Sequence, residues 1–196
     1  LQCPHWPYWE RFGDPSKRRP LTEFEEQRLA DGLDHEEKVV KSQYGVFESV
    51  SVESSAEEGA AKTLQLMRAG VPTIYQGWLV DGEWQGRPDI LERHEGESAL
   101  GNWYYVPVDV KRAHELKKEH IFQLLFYSIL LEKMQRRFPP HPAILNSDGE
   151  RLEFDPDQYL AEFRDTALRL ERVVAGERPE PVYRKTCEDT SPWGQA

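Results

Sequence analysis

The stretch TIYQGWLVDGEWQGRPDILER, residues 73–93, sets two apolar runs on either side of Asp81-Gly82. Asp-Gly is suited to a tight hairpin turn, so Thr73 to Val80 and Glu83 to Arg93 read as two antiparallel strands. After a polar loop containing His94 to Gly101, Trp103 to Lys111 is rich in aromatic and β-branched residues and reads as a third strand, with Pro107 hinting at a bulge or an edge. Working outward, Ala56 to Ala69 reads as a helix closed by Gly70, and Phe47 to Val52 as a short strand. Leu21 to about Lys41 reads as one helix or two short ones. Downstream, Glu119 to Phe138 is dense in Leu, Ile and Phe and reads as a helix stopped by Pro139-Pro140. Ala143 to Asn146 and Arg151 to Phe154 straddle Asp148-Gly149 as a further hairpin, and Pro156 opens a last helix running to about Ala175. This order predicts a mixed α/β domain around one central sheet.

The 196 residues suit one domain, with residues 1–20 as an irregular, Pro-rich and aromatic flap and 176–196 as an irregular tail. The longest apolar stretch, Leu124 to Leu131, is interrupted by Ser128 and is far short of the ~20 residues a membrane span needs, so no membrane partner is expected. Aromatic residues make up 11% of the chain, which supplies the apolar bulk that disordered chains lack. The net charge of −10 opposes whole-surface attraction to nucleic acid, so any such contact must be local. Arg112, Lys117 and Lys118 are the nearest basic residues to the motifs below. Two cysteines, Cys3 and Cys187, do not make the dense framework of a small secreted domain, and a cytoplasmic location is the default. With no initiating Met, the chain reads as a fragment of a longer protein whose further domains are expected partners.

Three short patterns could carry chemistry. They are Gly86-Arg87-Pro88-Asp89, Asp109-Val110-Lys111 and Gln123-Leu124-Leu125-Phe126-Tyr127. An acid two residues before a Lys occurs three times, at Glu36/Lys38, Asp109/Lys111 and Glu115/Lys117, and only the middle pair lies on a predicted strand. Residues i and i+2 of a strand share a face, so Asp109 and Lys111 point together. If the Asp89 strand lies beside them, two carboxylates converge on one hard cation. Magnesium fits such a site, being held by one or two carboxylates with the rest of its shell from water and phosphate. Lys111 then meets the phosphate or the attacking water as a point charge. Gln123 and Tyr127 share a helical face, where an amide and a phenol can orient the Lys or a nucleic-acid backbone. The plain alternatives are a turn cap at Asp89, a surface ion pair at Asp109 and Lys111, and a polar helix edge at Gln123 and Tyr127.

Together these residues resemble the RecB-like nucleases of the PD-(D/E)XK superfamily, including the CRISPR-associated RecB-like exonucleases. Gly86-x-x-Asp89, Asp109-x-Lys111 and Gln123-x-x-x-Tyr127 match that family's signatures in order, and Gly32-Leu33-Asp34-His35 matches its upstream helical Gly-x-x-His. The resemblance spans roughly residues 1–193 and implies a restriction-endonuclease-like core, a central mixed sheet flanked by helices. It implies His35, Asp89 and Asp109 as ligands of Mg2+ or Mn2+, with the Val110 carbonyl as an addition. Asp89, Asp109, Lys111, Gln123 and Tyr127 then form the catalytic set, and the implied activity is metal-dependent hydrolysis of phosphodiester bonds in DNA, at single strands or ends. The alternative is a catalytically inactive RecB-like module that binds DNA or a partner domain. The iron-sulfur branch of the family is matched in part: Cys3-Pro4 and Cys187 fit cluster positions and Pro192-Trp193 fits a landmark. Ser191 stands where that branch often has another Cys, so an iron-sulfur cluster requires cysteines beyond residue 196. Without them, packing of Trp6 and Trp193 is expected to join the two ends of the chain.

Overall fold

The structure is a computed structural model and describes residues 3–50, 55–180 and 191–193. The chain divides into two compact units, Leu33–Leu160 and the combination of Leu1–Gly32 with Ala161–Ala196.

The Leu33–Leu160 unit is α/β. Eight strands run β1 (Glu48–Ser49), β2 (Thr73–Tyr75), β3 (Leu79–Asp81), β4 (Trp84–Gly86), β5 (Ile90–Ser98), β6 (Gly101–Val110), β7 (Ala143–Leu145) and β8 (Arg151–Glu153). Six form a mixed sheet in the order β1-β2-β5-β6-β7-β8, and β3 with β4 makes a separate hairpin. The sheet is antiparallel from β2 through β6 and across β7-β8, and parallel at β1-β2 and β6-β7. This six-stranded sheet flanked by helices is compatible with a restriction-endonuclease-like core.

Two layers cover the sheet because its strands are apolar on both faces. On one side Val39 and Val40 of α2 (Glu23–Tyr44) pack with Ile90, Val108, Val110, Ala143 and Leu145, edged by Tyr44, Phe47 and Tyr75. The other side involves α3 (Ala56–Arg68) and α4 (Lys118–Gln135). A capping box between Ser55 and Glu58 starts α3. The α4 core positions Leu124, Leu125, Leu130 and Leu131 are buried as the apolar run predicts. At Tyr105, where β6 has no β7 partner, the buried Gln135 amide takes the place of a strand. Its Oε1 accepts from the Tyr105 N–H at 2.7 Å and its Nε2 donates to the Tyr105 carbonyl at 3.0 Å.

The hairpin expected from Asp81-Gly82 forms, with Gly82 at φ 60°, but its arms are short. Each predicted strand breaks in two. Gln76 adopts φ 52°, which no strand tolerates, and Pro88 separates β4 from β5. The hairpin then packs against α3 and α4, with Trp84 edge-on to Phe126 at 5.9 Å. Close approach is allowed by glycine: a Cβ on Gly59 of α3 would lie 2.2 Å from Trp78 Cδ1, and one on Gly86 would lie 2.8 Å from Tyr127. The expected polar loop after His94 is instead the outer half of β5, turned at Ala99-Leu100. Cross-strand contacts sustain it, including His94 stacked on Tyr104 at 5.7 Å. The irregularity hinted at by Pro107 lies elsewhere, at a register shift between Glu95 and Ser98 where Gly96 has φ 144°. Pro107 itself sits just before β6 acquires its β7 partner, so the lost N–H breaks no β6-β7 bond. The helix α4 stops at Gln135, three residues earlier than its following prolines imply, because Arg136 turns left-handed at φ 54°.

In the other unit the N-terminal flap is not irregular. It contains α1 (His5–Phe12) and a 3-10 turn at Pro15–Lys17, with Pro4 as N-cap and Pro7 in the first turn, where its missing N–H costs nothing. The last helix is also split, into a 3-10 turn at Pro156–Gln158, which belongs to the Leu33–Leu160 unit, and α5 (Leu160–Val174). The two indoles expected to pack on each other share one acceptor. Glu10 accepts from Trp193 Nε1 at 2.8 Å and from the Trp6 indole, and also pairs with Arg18. Cys3 is buried and disulfide-bonded, and Cys187 lies outside the described residues. Among the described residues no helix is long and apolar enough to cross a membrane.

Candidate active site

The β5-β6 register decides the site. Ile90 pairs with Val108, so one residue further along the ladder sets Asp89 opposite Asp109. The backbone then locks the two together: the Asp89 N–H donates to Asp109 Oδ1 at 3.3 Å, and the Val110 N–H donates to Asp89 Oδ2 at 2.7 Å. Lys111 follows the last residue of β6 and its N–H still donates to the Leu145 carbonyl at 2.9 Å, which extends the strand direction. Its ammonium therefore emerges on the face of Asp109, 3.3 Å from Oδ2. The i, i+2 geometry expected of Asp109 and Lys111 is what the structure contains.

Electrostatics at this pair are strained. Asp109 is 1% exposed, and among the described residues its Oδ2 accepts no hydrogen bond. Burial pushes its carboxyl up from the ordinary carboxylate range, with Lys111 pulling the other way. For Asp89, burial and then the charge of Asp109 push the carboxyl well up, again against Lys111. Lys111 is opposed by its own burial, yet the charges of Asp109 and Asp89 leave its pKa raised and the ammonium protonated. Asp109 Oδ2 is met by the Lys111 ammonium, and two adjacent buried carboxylates are the oxygen-donor chemistry that magnesium or manganese takes.

The second rank of residues comes from α4. Gln123 Nε2 donates to the Tyr127 hydroxyl at 2.8 Å, as their i, i+4 spacing allows. Burial, then the nearby charge of Asp109, raises the Tyr127 phenol, so it stays protonated. His120, in the first turn of the same helix, is held neutral by burial and by Lys111, and its buried Nδ1 has no partner among the described residues. Arg112, Lys117 and Lys118 are exposed.

The expected three-ligand set is not preassembled. Among the described residues no three His, Cys, Asp or Glu side chains stand close enough together to cage a metal ion. His35, on α2, is half-buried and its Nε2 has no hydrogen-bond partner among the described residues. The structure joins Asp89, Asp109 and Lys111 into one group and does not close His35 onto them.

Two residues that sequence reasoning passed over belong to the same neighbourhood. Glu36 is buried, and its Oε1 accepts from Gln76 Nε2 at 2.8 Å. Its charge bears on Asp89, Lys111 and Tyr127. The signal was available: Glu36, Val39 and Val40 follow the i, i+3, i+4 spacing of a buried helix face, which is an unusual place for a carboxylate. Gln76 carried no such signal, since a positive φ at a residue other than Gly is not written in composition. No protein-family model matches the chain, and no curated protein is significantly similar to it in sequence.

Proposed function

We propose that this chain is a metal-dependent deoxyribonuclease of the RecB-like kind, hydrolysing phosphodiester bonds of single-stranded DNA or of DNA ends. One observation carries the reading: the Asp109 carboxylate is buried beside Asp89, whose N–H it accepts, and the Lys111 ammonium stands 3.3 Å from its Oδ2. Structural carboxylates at a strand end do not need that arrangement, whereas phosphoryl chemistry does.

In this reading Asp89 and Asp109 hold Mg2+ or Mn2+. The bound ion would supply an activated water and neutralise charge on the phosphate. Lys111 donates to a non-bridging phosphate oxygen, where negative charge grows as the water oxygen bonds to phosphorus and the ester P–O bond breaks. It remains protonated throughout, because its two carboxylate neighbours stabilise the cation. Tyr127, fixed by Gln123, offers a neutral O–H to the backbone of the strand being cut. One water is consumed, leaving a phosphate on one product end and a hydroxyl on the other.

The test is cleavage of end-labelled single- and double-stranded DNA by the purified chain with magnesium or manganese, against Asp109→Ala. Metal-dependent cleavage lost in the variant supports the nuclease. The absence, among the described residues, of a ready-made three-ligand cage favours the second reading, a catalytically inactive module that binds DNA or a partner domain. DNA binding that is equal in both proteins, with cleavage in neither although manganese binds, would establish that module.

A further inference from the structure

Arg87 lies in the link from β4 to β5, two residues before Asp89. A long cationic side chain at such a place ordinarily keeps its head in water or closes on a carboxylate. Arg87 does neither. It is half-buried, with Nε donating to the Gln76 carbonyl at 3.2 Å and Nη2 to the Val50 carbonyl at 3.4 Å, and its guanidinium carbon lies 5.2 Å from the centre of the Trp78 ring.

Each of these supports is itself fixed. The Trp78 N–H donates to Thr63 Oγ1 at 2.8 Å, and that hydroxyl donates to the Gly59 carbonyl at 2.8 Å. The indole presses on the α3 backbone so closely that a Cβ on Gly59 would fall 2.2 Å from Trp78 Cδ1. The Gln76 carbonyl belongs to a residue at φ 52°, whose own N–H donates to the Asp89 carbonyl at 2.8 Å. Arg87 is therefore aligned to the strand that carries Asp89.

Two neutral carbonyls and a ring hold the guanidinium without neutralising it. Among the described residues Arg87 forms no ion pair. Burial opposes its charge, and Glu36, Tyr75 and Asp89 support it only from outside ion-pair range. The two nearby carboxylates are engaged by other donors, Glu36 Oε1 by Gln76 Nε2 at 2.8 Å and Asp89 Oδ2 by the Val110 N–H at 2.7 Å. By contrast Arg151, also half-buried, closes on both oxygens of Glu92 at 2.9 Å. A guanidinium carries five N–H donors, and the bonds of Arg87 leave Nη1 unspent.

We propose that Arg87 binds the phosphodiester backbone of the DNA strand beside the bond that is cut, as a positioning contact that takes no part in breaking it. This rests on the nuclease reading above. Two residues of extended chain span at most about 7 Å, so Arg87 and Asp89 meet neighbouring parts of one strand. The non-bridging oxygens of a phosphate match the edge of a guanidinium, and a donor already held in place loses little freedom on binding. In a chain of net charge −10, a polyanion has to be held by local contacts of this kind.

The experiment is binding of a labelled single-stranded oligonucleotide, read by fluorescence anisotropy in EDTA at several salt concentrations, for the full chain as wild type, Arg87→Gln, Arg87→Lys and Arg137→Gln, with a thermal melt of each. Arg137 is the control. Its guanidinium lies 4.0 Å over the Tyr104 ring and donates to the Glu97 carbonyl at 2.9 Å, a similar setting at the opposite end of β5 from Asp89. Arg87→Gln is expected to weaken binding about tenfold at low salt and to take about 0.7 from the slope of log affinity against log salt, the share of one phosphate contact on a single strand. Arg87→Lys keeps the charge and therefore the slope, with a smaller loss of affinity because the planar fork is gone. Arg137→Gln moves neither quantity. A wild-type slope for Arg87→Gln overturns the proposal. So does an equal loss of slope in Arg87→Gln and Arg87→Lys, which would mark the side chain as a structural strut. If Arg87→Gln does not fold, wild-type affinity for folded Arg87→Lys overturns it. A wild type that binds but does not cut with magnesium or manganese, with the slope still lowered in Arg87→Gln, upholds the contact and overturns the nuclease reading alone. A wild type that binds no oligonucleotide brings down the contact together with that reading.

Discussion

Asp89→Asn should stabilise the metal-free protein while it disables the site. The substitution is nearly isosteric, and an amide oxygen can still accept from the Val110 N–H that now sits 2.7 Å from Asp89 Oδ2. What disappears is a charge opposed by burial, by Asp109 and by Glu36, and favoured chiefly by Lys111. The amide N–H2 that replaces the second oxygen is a donor among carboxylates. Relief of such a charge is worth about 1–2 kcal/mol, the usual gain when a functional but unfavourable group is neutralised. For a chain of this size each kcal/mol moves the midpoint by about 2–4 °C, so the expected rise is about 2–8 °C.

The pH dependence gives the sharper signature. Because the folded carboxyl is raised above its unfolded value near 3.9, the native state binds more protons than the unfolded one between the two, and wild-type stability falls as pH rises through that window. Below the unfolded value both states are protonated and the penalty is absent. The advantage of Asp89→Asn should therefore be small near pH 4 and grow toward neutrality. Thermal melts in EDTA from pH 4 to 8 measure this directly. A variant less stable than the wild type at pH 7, or an advantage that does not change with pH, would refute the account of Asp89 as a destabilised carboxylate.

Other outcomes follow from the same geometry. Lys111→Ala should lower cleavage by about 10²–10³-fold, because it removes a donor aimed at developing phosphate charge, yet leave manganese affinity within about threefold by calorimetry. Replacing Arg112, Lys117 and Lys118 together by Gln should weaken DNA binding and flatten its dependence on salt concentration, read from binding isotherms at several ionic strengths. An unchanged slope would place the DNA path elsewhere. Gly59→Ala should destabilise the fold by about 1–3 kcal/mol in chemical denaturation, since its new Cβ would fall 2.2 Å from Trp78 Cδ1.

Much of the site was legible because it depends on strand periodicity. Alternation along Trp103 to Lys111 sets Asp109 and Lys111 on one face whatever surrounds them, and helical spacing does the same for Gln123 and Tyr127. Likewise α3, α4 and the β7-β8 hairpin follow from local patterns with clear stops. The N-terminal helix was not legible, because two prolines and a cluster of aromatics in nine residues hide the fact that each proline lies where a helix start tolerates it.

What the sequence by itself determined, then, is the set of elements whose hydrogen bonds close locally and the relative facing of side chains within each one. Whether Asp89 meets Asp109 depends on register between two strands, and only the assembled sheet fixed that. The break at Gln76, which with the one at Pro88 turns two expected strands into four and frees the β3-β4 hairpin to pack against α3 and α4, answers to tertiary demands as well. Its left-handed backbone is held by bonds to Glu36 and Asp89, residues 40 and 13 positions away. Energy gained at such distances can override a local preference of 1–2 kcal/mol, about the scale on which a sequence states its preferences one residue at a time.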